Sequence, residues 1–162
     1  MLILQFIIMF NETILKEIDE IKARYPDERS ALLPSLYIAQ KEFGWLSPKA
    51  MRCVAQTLNL SEAMVRGTAS FYAMFKHKPV GRHLIQLCTN VSCMILGAEK
   101  LIDFLKTTYG LEPNNSTPDG RFSLVIMECI GACGTAPAML VNTDFYDNLD
   151  ERKIEEILAK YS

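Results

Sequence analysis

The sequence predicts an α+β protein in two parts. A small N-terminal helical bundle comes first, then an α/β domain of order β-α-β-loop-β-β-α. Three observations carry this reading. Up to about residue 75, apolar residues recur three and four apart, the spacing of a helix with one buried face. At "KHKPVGR", residues 76 to 82, Pro and Gly interrupt that pattern. Beyond it, short apolar runs bounded by turn residues alternate with helical stretches, the grammar of a βαβ unit.

The bundle is justified helix by helix. In "NETILKEIDEIKARY", Ile14, Ile18, Ile21 and Tyr25 share a face, Asn11 is the N-cap, and Pro26 is the stop. In "DERSALLPSLYIAQKEFG", Leu32, Leu36, Ala39 and Phe43 line one side. Pro34 fits the first turn there, and Gly44 closes the helix. "LSPKAMRCVAQTLNL" takes Ser47 as cap and Pro48 as first helical residue, with Met51, Val54, Ala55 and Leu58 together. "SEAMVRGTASFYAMF" begins on a further serine cap, Ser61. Helices with one apolar stripe each bury it against one another.

The second part follows the same logic. "HLIQLC" reads as a strand, "SCMILGAEKLIDFLKTTYG" as one helix closed by Gly110, and "EPNNSTPDGR" as turn chemistry. "FSLVIMEC" is a strand, "IGACGTAP" a loop, and "AMLVN" and "DFYDN" two strands about a tight turn. "LDERKIEEILAKY" is a last helix capped by Asp150. The organisation expected is therefore an apolar extension over 1–10, a helical bundle over 11–76, a linker over 77–82, and the α/β domain over 83–162.

The 162 residues, 49% hydrophobic, suffice for a core without disulfide staples. A net charge of −2 gives no electrostatic reason for a nucleic acid or an anionic membrane as main partner. "MLILQFIIMF" is too short to span a bilayer and has no basic start for a signal peptide. Met9 offers an alternative start, which makes residues 1–8 an extension; the rival reading is an apolar arm that docks on a partner.

Four of the five cysteines fall in two close pairs: Cys88-x4-Cys93, then 35 residues, then Cys129-x3-Cys133. The strands ending at Cys88 and near Cys129 are joined by a helix, which predicts a parallel, right-handed crossover. Parallel strands finish at the same edge of a sheet. Both pairs are thus expected on facing loops, a site of four thiols. Disulfides, a zinc ion or an iron–sulfur cluster compete for it. Gly131 and Gly134 around Cys133, and the small polar "TNVS" between the first pair, suit backbone N–H groups aimed at sulfur and favour the cluster. A thiol oxidoreductase would need a C-x-x-C pair at a helix start, and neither pair has that spacing.

The string C-x4-C … C-x3-C, with "SFYAMF" and "KPVG" before it and "APAMLVN" after it, closely resembles the thioredoxin-like [2Fe–2S] subunit of respiratory complex I, NADH:quinone oxidoreductase (the 24 kDa or E type). The resemblance runs from about residue 11 to residue 161. It implies a thioredoxin-like α/β domain and one [2Fe–2S] cluster on Cys88, Cys93, Cys129 and Cys133. It also implies a heterodimer with a flavin- and NADH-binding subunit (51 kDa or F type), which carries FMN, the NADH site and a [4Fe–4S] cluster. The chain itself is then an electron carrier, not catalytic alone, and no G-x-G-x-x-G or P-loop is present for a nucleotide. Related subunits serve NAD-linked or electron-bifurcating hydrogenases and formate dehydrogenases; "CTNVSCMILGA" looks more like the respiratory versions. A zinc-stabilised scaffold is the binding-class alternative. The location implied is the cytoplasm, or the cytoplasmic face of the inner membrane as a peripheral subunit.

Other residues carry plainer expectations. His77 and His83 lack ligand spacing and are expected in solvent or linker. Trp45 and most methionines are expected in cores, with Met94 as a possible shield for the cysteine site. "SFYAMF" reads first as core packing and second as an interface with the flavin subunit. Cys53 reads as an inert buried thiol, and the thioredoxin-like fold that the resemblance implies often has a cis proline at the place Pro137 occupies, after the cysteine loop.

Overall fold

The computed structural model describes residues 10–161. The apolar extension and the alternative start at Met9 lie outside these residues. The chain divides at Pro79–Val80 into two compact units.

The first unit holds α1 (Glu12–Lys22), α2 (Leu32–Phe43), α3 (Pro48–Thr57) and α4 (Glu62–Phe71). The expected caps are in place. Asn11 Oδ1 accepts the Ile14 N–H at 2.9 Å, Ser47 Oγ that of Ala50 at 3.0 Å, and Ser61 Oγ that of Met64 at 3.3 Å. Each cap contributes about 1 kcal/mol by satisfying an orphan donor of the first turn. Gly44 ends α2 in the left-handed conformation, φ 75°, where a Cβ would be strained. The core is built on Ile18, Leu36, Ala39, Leu46, Val54 and Leu58, all fully buried.

Two expectations fail here. Leu46, not Trp45, enters the core: the Leu46 N–H donates to Lys76 O at 2.8 Å, and Trp45 is left half-buried. Of "SFYAMF", Phe75 is buried, whereas Phe71, Tyr72 and Met74 are exposed. The reason is that α4 ends at Phe71 and Tyr72 is already extended, so helical spacing no longer decides which face is inward. His77 is exposed, as expected, with its Nε2 3.2 Å from Ala69 O.

The second unit runs β1 (His83–Cys88), α5 (Val91–Ile95), α6 (Ala98–Tyr109), β2 (Phe122–Met127), a 3-10 turn at Cys133–Thr135, β3 (Met139–Val141), β4 (Asp144–Tyr146) and α7 (Glu151–Leu158). The sheet order is β2-β1-β3-β4. β1 and β2 are parallel; β3 runs antiparallel to β1, and β4 to β3. This is the mixed thioredoxin-like α/β arrangement expected after the helical bundle. Its core includes Ile85, Leu87, Leu105, Leu124, Met139 and Ile154.

The single helix expected between β1 and β2 is two. Gly97, at φ 101°, cannot continue a right-handed helix, so α5 ends and α6 starts afresh. Met94, 41% exposed, lies on the outer side of α5 rather than in a core. His83 is not in solvent: its ring lies 5.7 Å from that of Phe122 and 5.1 Å from that of Tyr161. No helix among the described residues is long and apolar enough to cross a membrane.

Candidate metal centre

The parallel register sets Cys88 opposite Met127. Thr89 N–H donates to Met127 O at 3.0 Å and carries the pairing one residue further. Cys88 is therefore the last residue of β1, and Cys129 stands two residues beyond the end of β2 at the same sheet edge. After Cys88 the chain turns at once into α5. Asn90 Oδ1 accepts the Val91 N–H at 2.9 Å, and Cys93 is the one buried residue of the short helix that follows. Cys88 and Cys93 are each 2% exposed; Cys129 and Cys133 are exposed on the loop opposite.

That loop is shaped by Gly131, whose φ of 83° reverses the backbone and lets its N–H donate to Cys129 Sγ at 3.4 Å. Cys133 opens the 3-10 turn that follows. The Ala136–Pro137 peptide bond is cis, as expected, and leads into β3.

The four cysteines form one electrostatic group. Cys88 lies within hydrogen-bonding reach of the thiols of both Cys93 and Cys129, and the backbone N–H groups of Asn90 and Ile130 point at its sulfur. Burial pushes the Cys88 thiol up; these four hydrogen bonds outweigh burial and hold it below the ordinary thiol value. Burial also pushes Cys93 up. The Cys88 thiol beside it adds to the rise, the Ala138 N–H opposes it, and the charges of Cys88 and Cys133 raise it further. The two neighbouring thiols are thus shifted in opposite directions, Cys88 down and Cys93 up, with Cys88 Sγ 3.8 Å from Glu128 O.

The structure brings Cys88, Cys93, Cys129 and Cys133 together in the second unit; Cys53 belongs to α3 of the first unit and is 4% exposed. Burial raises the Cys53 thiol, with the charges of Lys49 and Arg52 pulling it back, as befits an inert buried thiol. Sequence reasoning placed the N–H donors only partly. Gly131 donates as expected and Asn90 supplies one group from "TNVS", but Gly134 takes no left-handed conformation. Ile130 and Ala138 were missed. The signal for Ala138 lies in the sheet register: Cys88 N–H donates to Ala138 O at 3.1 Å, so the segment entering β3 must run beside the cysteines.

The sequence profile of the thioredoxin-like [2Fe-2S] ferredoxin family matches residues 18–162. The chain belongs to this family. It is 45% identical over 149 residues to an E-type NADH-quinone oxidoreductase subunit of Rhizobium meliloti (strain 1021), covering 92% of this chain and 89% of that protein. It is 40% identical over 139 residues to the E-type NADH-quinone oxidoreductase subunit of Mycobacterium bovis, covering 86% of this chain but 55% of that longer protein. Among solved structures, a crystal structure of an NAD+-reducing [NiFe]-hydrogenase superposes with a TM-score of 0.69 at 27% identity, covering 80% of this chain and 22% of the hydrogenase chain.

The donor set of this thioredoxin-like ferredoxin suits the cluster of its family. Soft thiolates are the ligands iron–sulfur clusters take, four at a time. Two adjacent pairs of thiols would fit a two-iron group, which takes two thiolates on each iron. Crowding these thiols raises Cys93 through like charge, and cations between the pairs relieve that cost.

Proposed function

We propose that this chain is the electron-carrying E-type subunit of an NADH:quinone oxidoreductase, with Cys88, Cys93, Cys129 and Cys133 ligating one [2Fe–2S] cluster that exchanges single electrons with FMN in a flavin- and NADH-binding partner subunit. The observation that carries this is the convergence of the two cysteine pairs at one end of the β1–β2 ladder, with backbone N–H groups aimed at three of the sulfurs. The relatives from NADH-quinone oxidoreductases support the assignment to that complex.

When bound, the cluster accepts and returns one electron at a time. The chain's own residues do the rest. The Asn90 and Ile130 N–H groups that help hold the Cys88 thiol below its ordinary value favour its binding as a thiolate. The N–H groups of Asn90, Ile130, Gly131 and Ala138 favour negative charge on the sulfurs and so tune the potential. Burial of Cys88 and Cys93 keeps water from one side of the site, while the exposed Cys129 and Cys133 leave the other side open to a partner. With no dinucleotide fingerprint, the chain relies on its partner for NADH and FMN and sits on the cytoplasmic face of the complex as a peripheral component.

The test is anaerobic purification with iron, acid-labile sulfide and zinc analysis, then identification of the proteins that co-purify. Iron and sulfide in equal amounts, together with a flavin subunit and membrane subunits of a quinone-reducing complex, are expected. Zinc without sulfide overturns the cluster. A second reading, the equivalent subunit of an NAD-linked hydrogenase, is favoured by the structural neighbour; co-purifying hydrogenase subunits in place of membrane subunits would establish it.

A further inference from the structure

In the first unit, Phe71 is 80% exposed, Tyr37 54% and Met74 42%. A fraying helix end would leave rings loose in this way, but here the backbone that follows α4 is pinned. Gln40 Nε2 donates to Met74 O at 3.0 Å, and Gln40 Oε1 accepts the Lys76 N–H at 2.6 Å. One side-chain amide thus brackets Phe75, which is buried. The rings make a continuous run: Phe71 to Tyr72 at 5.1 Å, Tyr72 to Phe75 at 6.4 Å, and Phe75 to Tyr37 at 6.1 Å. Tyr37 and Tyr72 pack edge-on against the buried Phe75, and Phe71 packs against Tyr72, so these rings are partly ordered before anything covers them. Pre-ordered aromatic side chains at the centre of an interface carry most of its binding energy.

Charge indicates what covers them. After Glu62, which is ion-paired with Arg66 at 3.6 Å, the helical unit has no further Asp or Glu, while Lys76 and Lys78 fall in that stretch. Lys76 and Lys78 follow the aromatic run directly. A second copy would set basic flank against basic flank; an acidic surface is complementary.

We propose that Phe71, Tyr72, Met74 and Tyr37 anchor the helical unit to the flavin-bearing partner by entering an apolar pocket on it that is rimmed with carboxylates. This rests on the partner assigned under the proposed function. The test uses the full chain and that flavin subunit from the same organism, with the dissociation constant measured for wild type, Phe71→Ser, the double variant Lys76→Glu/Lys78→Glu, and Phe145→Ser. Phe145, half exposed on β4, controls for the mere loss of a surface ring. Phe71→Ser is expected to weaken binding by about 30-fold or more, as hot-spot truncations do, with the thermal melt and visible spectrum unchanged. The lysine reversals are expected to weaken it as well and to flatten its salt dependence, and Phe145→Ser to bind within about threefold of wild type. If Phe71→Ser binds like wild type, or if its effect is instead to dissolve a homodimer, the docking proposal is overturned and the partner assignment stands. If the wild-type chain fails to bind the flavin subunit at all, the partner assignment falls and the docking proposal with it.

Discussion

Cys88 sits directly across the parallel ladder from Met127, and this one register sets the place of the whole cysteine group. It ends β1 on a thiol and brings Cys129 to the same edge two residues later. A slip of one residue would turn Cys88 to the opposite face of the sheet and away from Cys93, which is buried on α5.

The first prediction follows from that grouping. Cys88→Ser and Cys129→Ser, one from each pair, are expected to lose most bound iron and sulfide and the visible colour. Cys53→Ala, a small truncation in the core of the other unit, is expected to keep both and cost about 1 kcal/mol of stability. Metal and sulfide analysis of the three variants decides it; retention of colour by Cys129→Ser would contradict the ligand set.

What the sequence disclosed, and what it hid, divides along the range of the interactions. Asn11, Ser47, Ser61 and Asp150 were legible as caps because a cap is settled within three residues; Asp150 Oδ1 accepts the Lys153 N–H at 2.7 Å. The meeting of the two cysteine pairs was legible because a helical crossover forces parallel strands to end together. The break at Gly97 was not, since an isolated glycine inside an apolar run is compatible with either outcome. Nor was the exposure of Phe71, which depends on where α4 stops, or the packing of His83 on Tyr161, which depends on contacts 78 residues apart.

Gly81 yields a second prediction. Its N–H donates to Ser123 Oγ at 2.6 Å, and a Cβ built on it would lie 2.8 Å from the backbone carbon of Phe122 and 3.0 Å from Gly120 O. Both neighbours are backbone, so neither can rotate away. Gly81→Ala is expected to destabilise the second unit by about 1–3 kcal/mol, the usual cost of overpacking. Gly134→Ala, where no atom lies within 4 Å of the added carbon, is expected to be near neutral. Urea midpoints of the two variants against wild type make the comparison.

A third prediction concerns the core of the same unit. Ile154 on α7 is fully buried against the sheet. Ile154→Ala is expected to cost about 2–4 kcal/mol through lost transfer energy and the cavity left behind. Ile154→Val is expected to cost about 1 kcal/mol. A thermal melt showing the two equal would mean that α7 can collapse into the space.

The last prediction is a pH dependence. Tyr161 OH donates to Asp144 Oδ2 at 2.6 Å, and with that proton committed, Tyr146 OH donates to Tyr161 at 2.7 Å. Burial pushes the Tyr161 phenol up from its ordinary value of 10.0, and the bonds to Asp144 and Tyr146 push it further. A group whose folded pKa is raised binds its proton more tightly folded than unfolded. Its contribution is therefore complete below the ordinary phenol value and is lost as pH rises toward the folded one. Tyr109, raised by burial and by the charge of Glu155, acts with the same sign. Stability is thus expected to be level near neutrality and to fall above about pH 10. Tyr161→Phe removes the hydroxyl and with it this part of the dependence. It is expected to lower stability by about 1–2 kcal/mol at about pH 8, and to narrow its gap from wild type by about pH 11, as the wild-type phenol begins to lose its advantage. Urea unfolding of both proteins at the two pH values measures the gap. A gap that widens with pH would show that the Tyr161–Asp144 bond is not what holds the C-terminal residues to β4.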